Sequence, residues 1–306
     1  MRELTVAVLA DVHGNYPALK ACLDWARKRK IEKYIFLGDY ITDHAYPQRV
    51  MELLYEAAGR YDCRFIRGSR EEYMISYRAN GGRNADGSVW RDSSCQGALL
   101  YCYENLTDRD IDWFESLPVS CSWQIGNAPP IACCHGSPER TKAQIFSPGT
   151  LESLESVPER ILLKGHNHRP FSFWHRGLRV ICAGSVGAPI CCRTRPGAIE
   201  VTELAEVSQM LLMHYRKGRW VPEYVSVPYD WEQAVKNLET SGLTERAPVW
   251  SAMLRHNVLT GTDPFGRVPA RAVELYKNDS GIEASWADVP EKYWRDAARE
   301  YNIELF

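Results

Sequence analysis

Leu4-Thr5-Val6-Ala7-Val8-Leu9-Ala10-Asp11-Val12-His13-Gly14-Asn15 is an apolar, β-branched run that stops at an acid, an imidazole and a glycine. Leu4 to Ala10 reads as a buried strand. Tyr16 to Lys30 follows with Leu19, Cys22, Leu23 and Ala26 at helical spacing, and Pro17 suits its first turn. Tyr34 to Leu37 is a second strand, ending at Gly38-Asp39. Pro47 to Tyr61 is a second helix with Val50, Leu53, Leu54 and Ala57 on one face, and Cys63 to Ile66 is a third strand, ending at Gly68. Strands alternating with helices imply parallel pairing through right-handed crossovers. Ligands of such sheets gather beyond the carboxyl ends of the strands, where Asp11, Asp39 and Ser69 fall.

Five short motifs each follow an apolar run: Asp11-Val12-His13-Gly14-Asn15, Gly38-Asp39-Tyr40-Ile41-Thr42-Asp43, Gly68-Ser69-Arg70-Glu71, Cys134-His135-Gly136 and Gly165-His166-Asn167-His168. Strands fix the directions of such residues while the loops after them present ligands. Mixed oxygen and imidazole donors suit manganese, iron, zinc, cobalt or nickel, whereas magnesium and calcium prefer oxygen alone. One aspartate between two ligand groups can bridge two ions. Such a pair, roughly 4 Å apart, can hold both the attacking and the leaving oxygen of a displacement at phosphorus.

The order of these motifs resembles that of the calcineurin-like metallophosphoesterases: D-x-H, G-D-x-x-x-D, G-N-H-[DE], H-G, G-H-x-H. Gly184-Ser185-Val186-Gly187 is similar to the G-S-V-G turn of small bacterial and archaeal phosphodiesterase-like members. The match runs over roughly the first 200 residues. It implies an α/β fold, a four-layer α/β/β/α sandwich, here with a helical insert and a helical C-terminal extension. It also implies two divalent transition-metal ions, manganese ahead of iron, zinc, nickel or cobalt. Asp11, His13 and His168 would hold the first ion, Asp39 would bridge, and His135 and His166 would hold the second. The nucleophile would be a metal-bridging hydroxide, so neither a serine nor a cysteine nucleophile is required.

Two positions depart from the family pattern. Ser69 stands where an asparagine completes the second shell, and could ligate directly, through water, or not at all. Arg70 stands where a histidine assists the leaving group. A guanidinium stays protonated and cannot act as that acid, but it can grip phosphate oxygens in a fork. The other reading of Arg70 is an ion pair with Glu71 or Glu72. His44 could supply the missing proton, or be an exposed loop histidine. Asp43 could orient a metal ligand or cap the next helix. Asn15 could bind a phosphate oxygen or shape its turn, and Asn167 is expected to point away. Arg193 and Arg195 could bind distal phosphate or form a polar edge. His175, His214 and His256 show no spacing that links them to a site.

Residues 1–228 read as the metallophosphoesterase domain, with a helical insert at about 70–117 that could roof the site, and residues 229–306 as a C-terminal helical extension packed on the core. Thr107 with Asp110 forms a capping-box pattern. From Val119 to Tyr215 short strands separated by turns at Gly126-Asn127, His175-Arg176-Gly177 and Lys217-Gly218 suggest a meander, including a strand at Ala198 to Val201. In the tail, Trp231 to Leu238, Ala247 to His256, Val268 to Tyr276 and Tyr293 to Tyr301 read as helices. Trp250, Trp286, Tyr293 and Trp294 read there as core or docking aromatics. The extension could serve as a cap or as a contact for a homo-oligomer.

A net charge of −2 gives no basic field for a stable nucleic-acid complex. No apolar run of about 18 residues is present to span a membrane. With no signal core at the N-terminus, a cytoplasmic enzyme is expected. Ten cysteines without that signal, and without a C-x-x-C pair, read mostly as small buried hydrophobes. The expectation is a phosphoesterase acting on phosphodiester or nucleotide-type substrates, a phosphorylated small molecule or nucleotide being its partner. The alternatives are a phosphoprotein phosphatase or dinucleoside-polyphosphate hydrolase, and a metal-binding scaffold with weak catalysis.

Overall fold

The computed structural model describes residues 4–147, 154–155, 157–190 and 205–306. Alternation within β1 (Leu4–Leu9) sets the layers. Val6 and Val8, with Ala10 beyond, join Leu37, Leu163, Ile181 and Leu211 in the core between two sheets. Ala7 and Leu9 face the other way, onto Leu19 and Cys22 of α1 (Tyr16–Lys28) and Val50 and Leu54 of α2 (Pro47–Arg60). β2 (Lys33–Phe36) and β3 (Asp62–Phe65) extend the sheet in parallel, as the alternating pattern requires.

The second sheet holds β4 (Ser120–Trp123), β5 (Ile131–Cys134), β6 (Ile161–Lys164), β7 (Pro170–His175) and β8 (Leu178–Ala183), in the order β4-β5-β6-β8-β7. Its centre, β5-β6-β8, is parallel. The expected meander therefore survives only as antiparallel pairs at its margins. The expected strand at Ala198 to Val201 lies outside the described residues. β9 (Val207–Arg216) and β10 (Arg219–Pro228) return to the first sheet, giving β10-β9-β1-β2-β3. The sequence pattern did not announce β10, because Pro222 argues against a strand. The proline is tolerated since β10 is the sheet edge.

The insert folds as α3 (Ser69–Ala79), α4 (Gly97–Glu104) and α5 (Asp108–Ser116). The capping box forms: Thr107 N donates to Asp110 Oδ2 at 2.8 Å, and Asp110 N to Thr107 Oγ1 at 3.3 Å. The extension folds as α6 (Trp231–Thr240), α7 (Leu243–Arg246), α8 (Pro248–Thr260), α9 (Arg267–Ser280) and α10 (Glu291–Glu300). Its core of Leu243, Met253, Val268 and Trp294 is continuous with Ala98 and Tyr101 of α4 and with Ala45. Gly97 allows the close approach: a Cβ there would lie 2.0 Å from Arg246 O. Among the described residues, no helix is long and apolar enough to cross a membrane. The eight described cysteines are free thiols, five of them buried, while Cys191 and Cys192 lie outside the described residues.

Candidate metal centre

The loops after β1, β2, β5 and β6 meet at the carboxyl ends of their strands. Asp11, His13, Asp39, His166 and His168 all adopt left-handed backbone, with φ of 56°, 49°, 54°, 71° and 56°. That region is uncommon for residues with a Cβ and persists where surrounding contacts impose it. Here the loops hold one another. Asp11 N donates to Gly38 O at 3.1 Å, and His13 N to Asp39 O at 2.9 Å. The G-S-V-G turn buttresses the first loop: Ser185 Oγ donates to Asp11 O at 2.7 Å, and a Cβ on Gly187 would lie 1.8 Å from Val12 O.

Two groups result, Asp11-His13-His168 and Asp39-His135-His166, with the ligand atoms of each within 4.8 Å of one another. The groups adjoin. His135 Nε2 is 3.1 Å from Asp39 Oδ2 and 3.9 Å from Asp11 Oδ1, and His13 Nε2 is 3.8 Å from both Asp11 Oδ1 and Asp39 Oδ2. Three imidazoles are anchored from behind: His135 Nδ1 to Leu37 O at 2.7 Å, His168 Nδ1 to Ala188 O at 3.0 Å and His13 Nδ1 to Asp43 Oδ2 at 2.6 Å. A carbonyl only accepts, so Nδ1 of His135 and of His168 carries its proton and Nε2 turns inward, while the Asp43 carboxylate beside His13 Nδ1 favours a proton there too. Thus His13 Nε2 faces His168 Nε2 at 2.9 Å with carboxylates beside both.

Such a cluster calls for positive charge. Burial pushes the His13 imidazole down, yet Asp11 and Asp43 reverse this and lift it to about 10. Burial opposes His135 likewise, and Asp39 lifts it to about 9. His166 goes the other way, to about 4, through burial and the neighbouring His135. Burial pushes the Asp39 carboxyl up, but His135, His13 and Arg70 hold it well below the usual carboxylate range. Divalent cations placed between these donors would answer the same demand, so the residues fit the ions that oxygen and imidazole donors favour.

The supporting residues are placed as follows. Asp43 is 2.6 Å from His13 Nδ1 and 3.2 Å from Arg70 Nη2, and accepts from Trp250 Nε1 at 2.9 Å. It braces His13, a candidate ligand, and does not cap α2, whose cap position is Tyr46. Arg70 pairs with Asp43 and not with Glu71 or Glu72, and it faces the cavity. Ser69 Oγ donates to both oxygens of Asp39, at 3.0 and 3.2 Å, so its hydroxyl touches the carboxylate expected to bridge. Glu71 is buried and accepts from Gly68 N, Asp39 N and Tyr40 N at 2.7 to 2.8 Å, which ties the Asp39 and Ser69 loops together. Its place three residues after Gly68 suits a helix cap, but the reach to the Asp39 loop shows only in the fold.

Three expectations are corrected. Asn15 does not reach the cavity: its amide accepts from Ala18 N at 3.2 Å and donates to Gly187 O at 3.1 Å, so it caps α1 and shapes its turn. His44 is not exposed, and it does not line the cavity. It is 3 % exposed, and burial pushes its imidazole down to about 4. Asn167 reaches the cavity wall rather than pointing away, its Oδ1 accepting from the buried Lys164 ammonium. Arg193 and Arg195 lie outside the described residues. His214 bonds Thr5 and Glu223 on the sheet, away from the centre.

The centre opens into a cavity of about 660 Å³. Its roof is not the body of the insert, which contributes Ser69, Arg70 and Tyr73 of α3; Trp250 and Leu254 of α8, the following loop with Phe265, and Trp286 close it instead. Lys142, Gln144 and Phe146 form the facing wall. None of these stands at a spacing that links it to the motifs, so pattern reading missed them.

The family model described as calcineurin-like phosphoesterase matches residues 4–195. Uncharacterized protein MJ0912 of Methanocaldococcus jannaschii is 22 % identical over 187 residues, covering 61 % of this chain and 71 % of its own length. The crystal structure of hypothetical protein PH1004 from Pyrococcus horikoshii superposes with a TM-score of 0.64 at 21 % identity, over 85 % of this chain and 99 % of that one. A metallophosphoesterase from Sphaerobacter thermophilus gives a TM-score of 0.62 at 18 % identity, over 85 % and 100 % of the two chains. At these identities, the likeness to the two solved structures is one of fold.

Proposed function

The chain belongs to the calcineurin-like phosphoesterase family, and from that membership we propose that it hydrolyses phosphodiesters, of nucleotide type, with two divalent transition-metal ions, manganese first among them. Asp11, His13 and His168 hold one ion, His135 and His166 the other, and Asp39 lies between. When bound, such a pair makes hydroxide available near neutral pH and neutralises charge that develops on the phosphoryl oxygens.

The chain's own residues supply orientation and charge. Asp43 fixes the tautomer and direction of His13. Arg70 presents its guanidinium to the cavity from a side chain 21 % exposed, placed to grip a phosphoryl oxygen. Ser69 restrains the Asp39 carboxylate. Among the described residues, no imidazole beyond the proposed ligand set lines the cavity. The leaving group then departs without a dedicated acid, so esters and anhydrides with good leaving groups are favoured.

The observation that carries this reading is the pair of donor groups joined at Asp39 within one open cavity. The test is a manganese-loaded assay on bis(p-nitrophenyl) phosphate and p-nitrophenyl phosphate. Turnover of the diester supports the proposal. Turnover of the monoester alone replaces it with a phosphatase, and turnover of neither leaves a metal-binding scaffold.

A further inference from the structure

Large aromatic side chains are mostly covered in folded proteins. Two that are not sit on the rim of this cavity: Phe146 is 52 % exposed and Trp286 is 43 % exposed. They come from opposite halves of the chain, Phe146 from the segment after β5 and Trp286 from the turn Trp286–Asp288 ahead of α10. Both border the space that holds Asp39, His166 and His168. Trp294, which the same pattern reading groups with Trp286, is 1 % exposed and belongs to the core. Trp174, Tyr301 and Phe306 are exposed elsewhere on the surface; Phe146 and Trp286 are the two exposed aromatics that border this cavity among the described residues.

Charge is distributed to match. Arg70 and Arg169 border the cavity but are committed to Asp43 and Asp263, at 3.2 and 3.3 Å. Lys142 makes no ion pair among the described residues; its ammonium rests 4.0 Å from the centre of the Tyr73 ring. It is a cation held in place by a ring and available to an anion or to the acceptor edge of a ligand. Gln144 adds an amide with both donor and acceptor beside it.

We propose that Trp286 and Phe146 form a nucleobase subsite, with Lys142 serving its polar edge, so that the substrate is a nucleoside phosphodiester rather than a small alkyl one. This rests on the phosphodiesterase reading above. A base offers two flat faces for stacking and a rim of acceptors, and stacking on an aromatic side chain adds affinity whichever base is present. An alkyl group would find neither benefit.

Two substrates with one leaving group test it: thymidine 5′-(p-nitrophenyl phosphate) and ethyl p-nitrophenyl phosphate, with manganese-loaded enzyme. The thymidine ester should show a KM about tenfold lower. Trp286→Ala and Phe146→Ala should each raise that KM about five- to tenfold, hold kcat within about twofold and leave the ethyl ester unchanged. Both side chains are exposed, so the variants should keep the wild-type melting temperature. Equal KM values in the wild type, or equal losses on both esters, overturn the subsite while leaving the phosphodiesterase reading intact. If neither ester is hydrolysed, that reading fails instead, and calorimetric binding decides the subsite. Thymidine 5′-monophosphate should then bind about tenfold more tightly than 2-deoxyribose 5-phosphate, an advantage lost in Trp286→Ala; equal affinities overturn it.

Discussion

The indole of Trp250 donates to Asp43 Oδ1 at 2.9 Å, although the two residues stand 207 positions apart. The other oxygen of Asp43 lies 2.6 Å from His13 Nδ1. The extension thereby sets the posture of a proposed metal ligand through one intermediary. Trp250→Phe keeps the ring and deletes the donor. Affinity for the first ion should fall about tenfold, the usual penalty for losing a partner behind a ligand. Manganese titration reads this directly, and an unchanged isotherm would show that Asp43 needs no help from α8.

Asp39 Oδ2 lies 3.1 Å from His135 Nε2, and the carboxylate receives Ser69 Oγ and Arg70 N, the latter at 2.7 Å. Asp39→Asn preserves size and removes charge. At least about a hundredfold of kcat should be lost, equivalent to ~2.7 kcal/mol, together with one equivalent of bound metal. Turnover near wild type would sink the two-ion assignment.

Ser69 offers a short neutral oxygen already engaged with Asp39. Ser69→Asn restores a longer carbonyl donor, so the second ion should be held more tightly, by about tenfold. Stepwise metal titration checks this; equal second-site affinity in the two proteins counts against it.

Arg70 has one carboxylate partner and one free flank toward the cavity. Arg70→Ala should slow diester hydrolysis about tenfold or more, mainly in kcat. Arg70→Lys should not restore the rate, because an ammonium lacks the planar fork. Undiminished hydrolysis of aryl diesters by Arg70→Ala would remove the guanidinium from the reaction.

Gly97 brings α4 against the carbonyl of Arg246, where an added Cβ would lie 2.0 Å away. That neighbour is backbone and cannot swing aside. Gly97→Ala should cost about 1–3 kcal/mol, visible as a lower urea midpoint. A midpoint equal to wild type would mean that insert and extension are not packed as described.

The first half of the architecture was written in short-range periods. Val6, Val8 and Ala10 against Ala7 and Leu9 give the two faces of β1, and the acids and imidazoles stand at strand ends where the loops deliver them. What escaped reading depends on contacts with no period. Pro222 hid an edge strand, and the burial of His44 depends on a fold its neighbours do not encode. The pairing of Arg70 with Asp43, rather than with its adjacent glutamates, is set by where α3 begins relative to the Asp39 loop. The roof was misplaced for the same reason: helices near residue 250 cross over a centre built by the first 170 residues, and only tertiary packing records that.

Helix α8 carries both the indole that steadies Asp43 and Leu254 of the cavity wall. The turn at Trp286 carries wall alone. Inheritance can therefore act on the two unequally. Drift at the turn retunes which molecules are admitted while the chemistry stays whole, whereas drift in α8 is felt at once at Asp43 and, through it, at His13. A laboratory seeking new specificity on this scaffold should start its libraries after residue 280 and leave the helix before it alone.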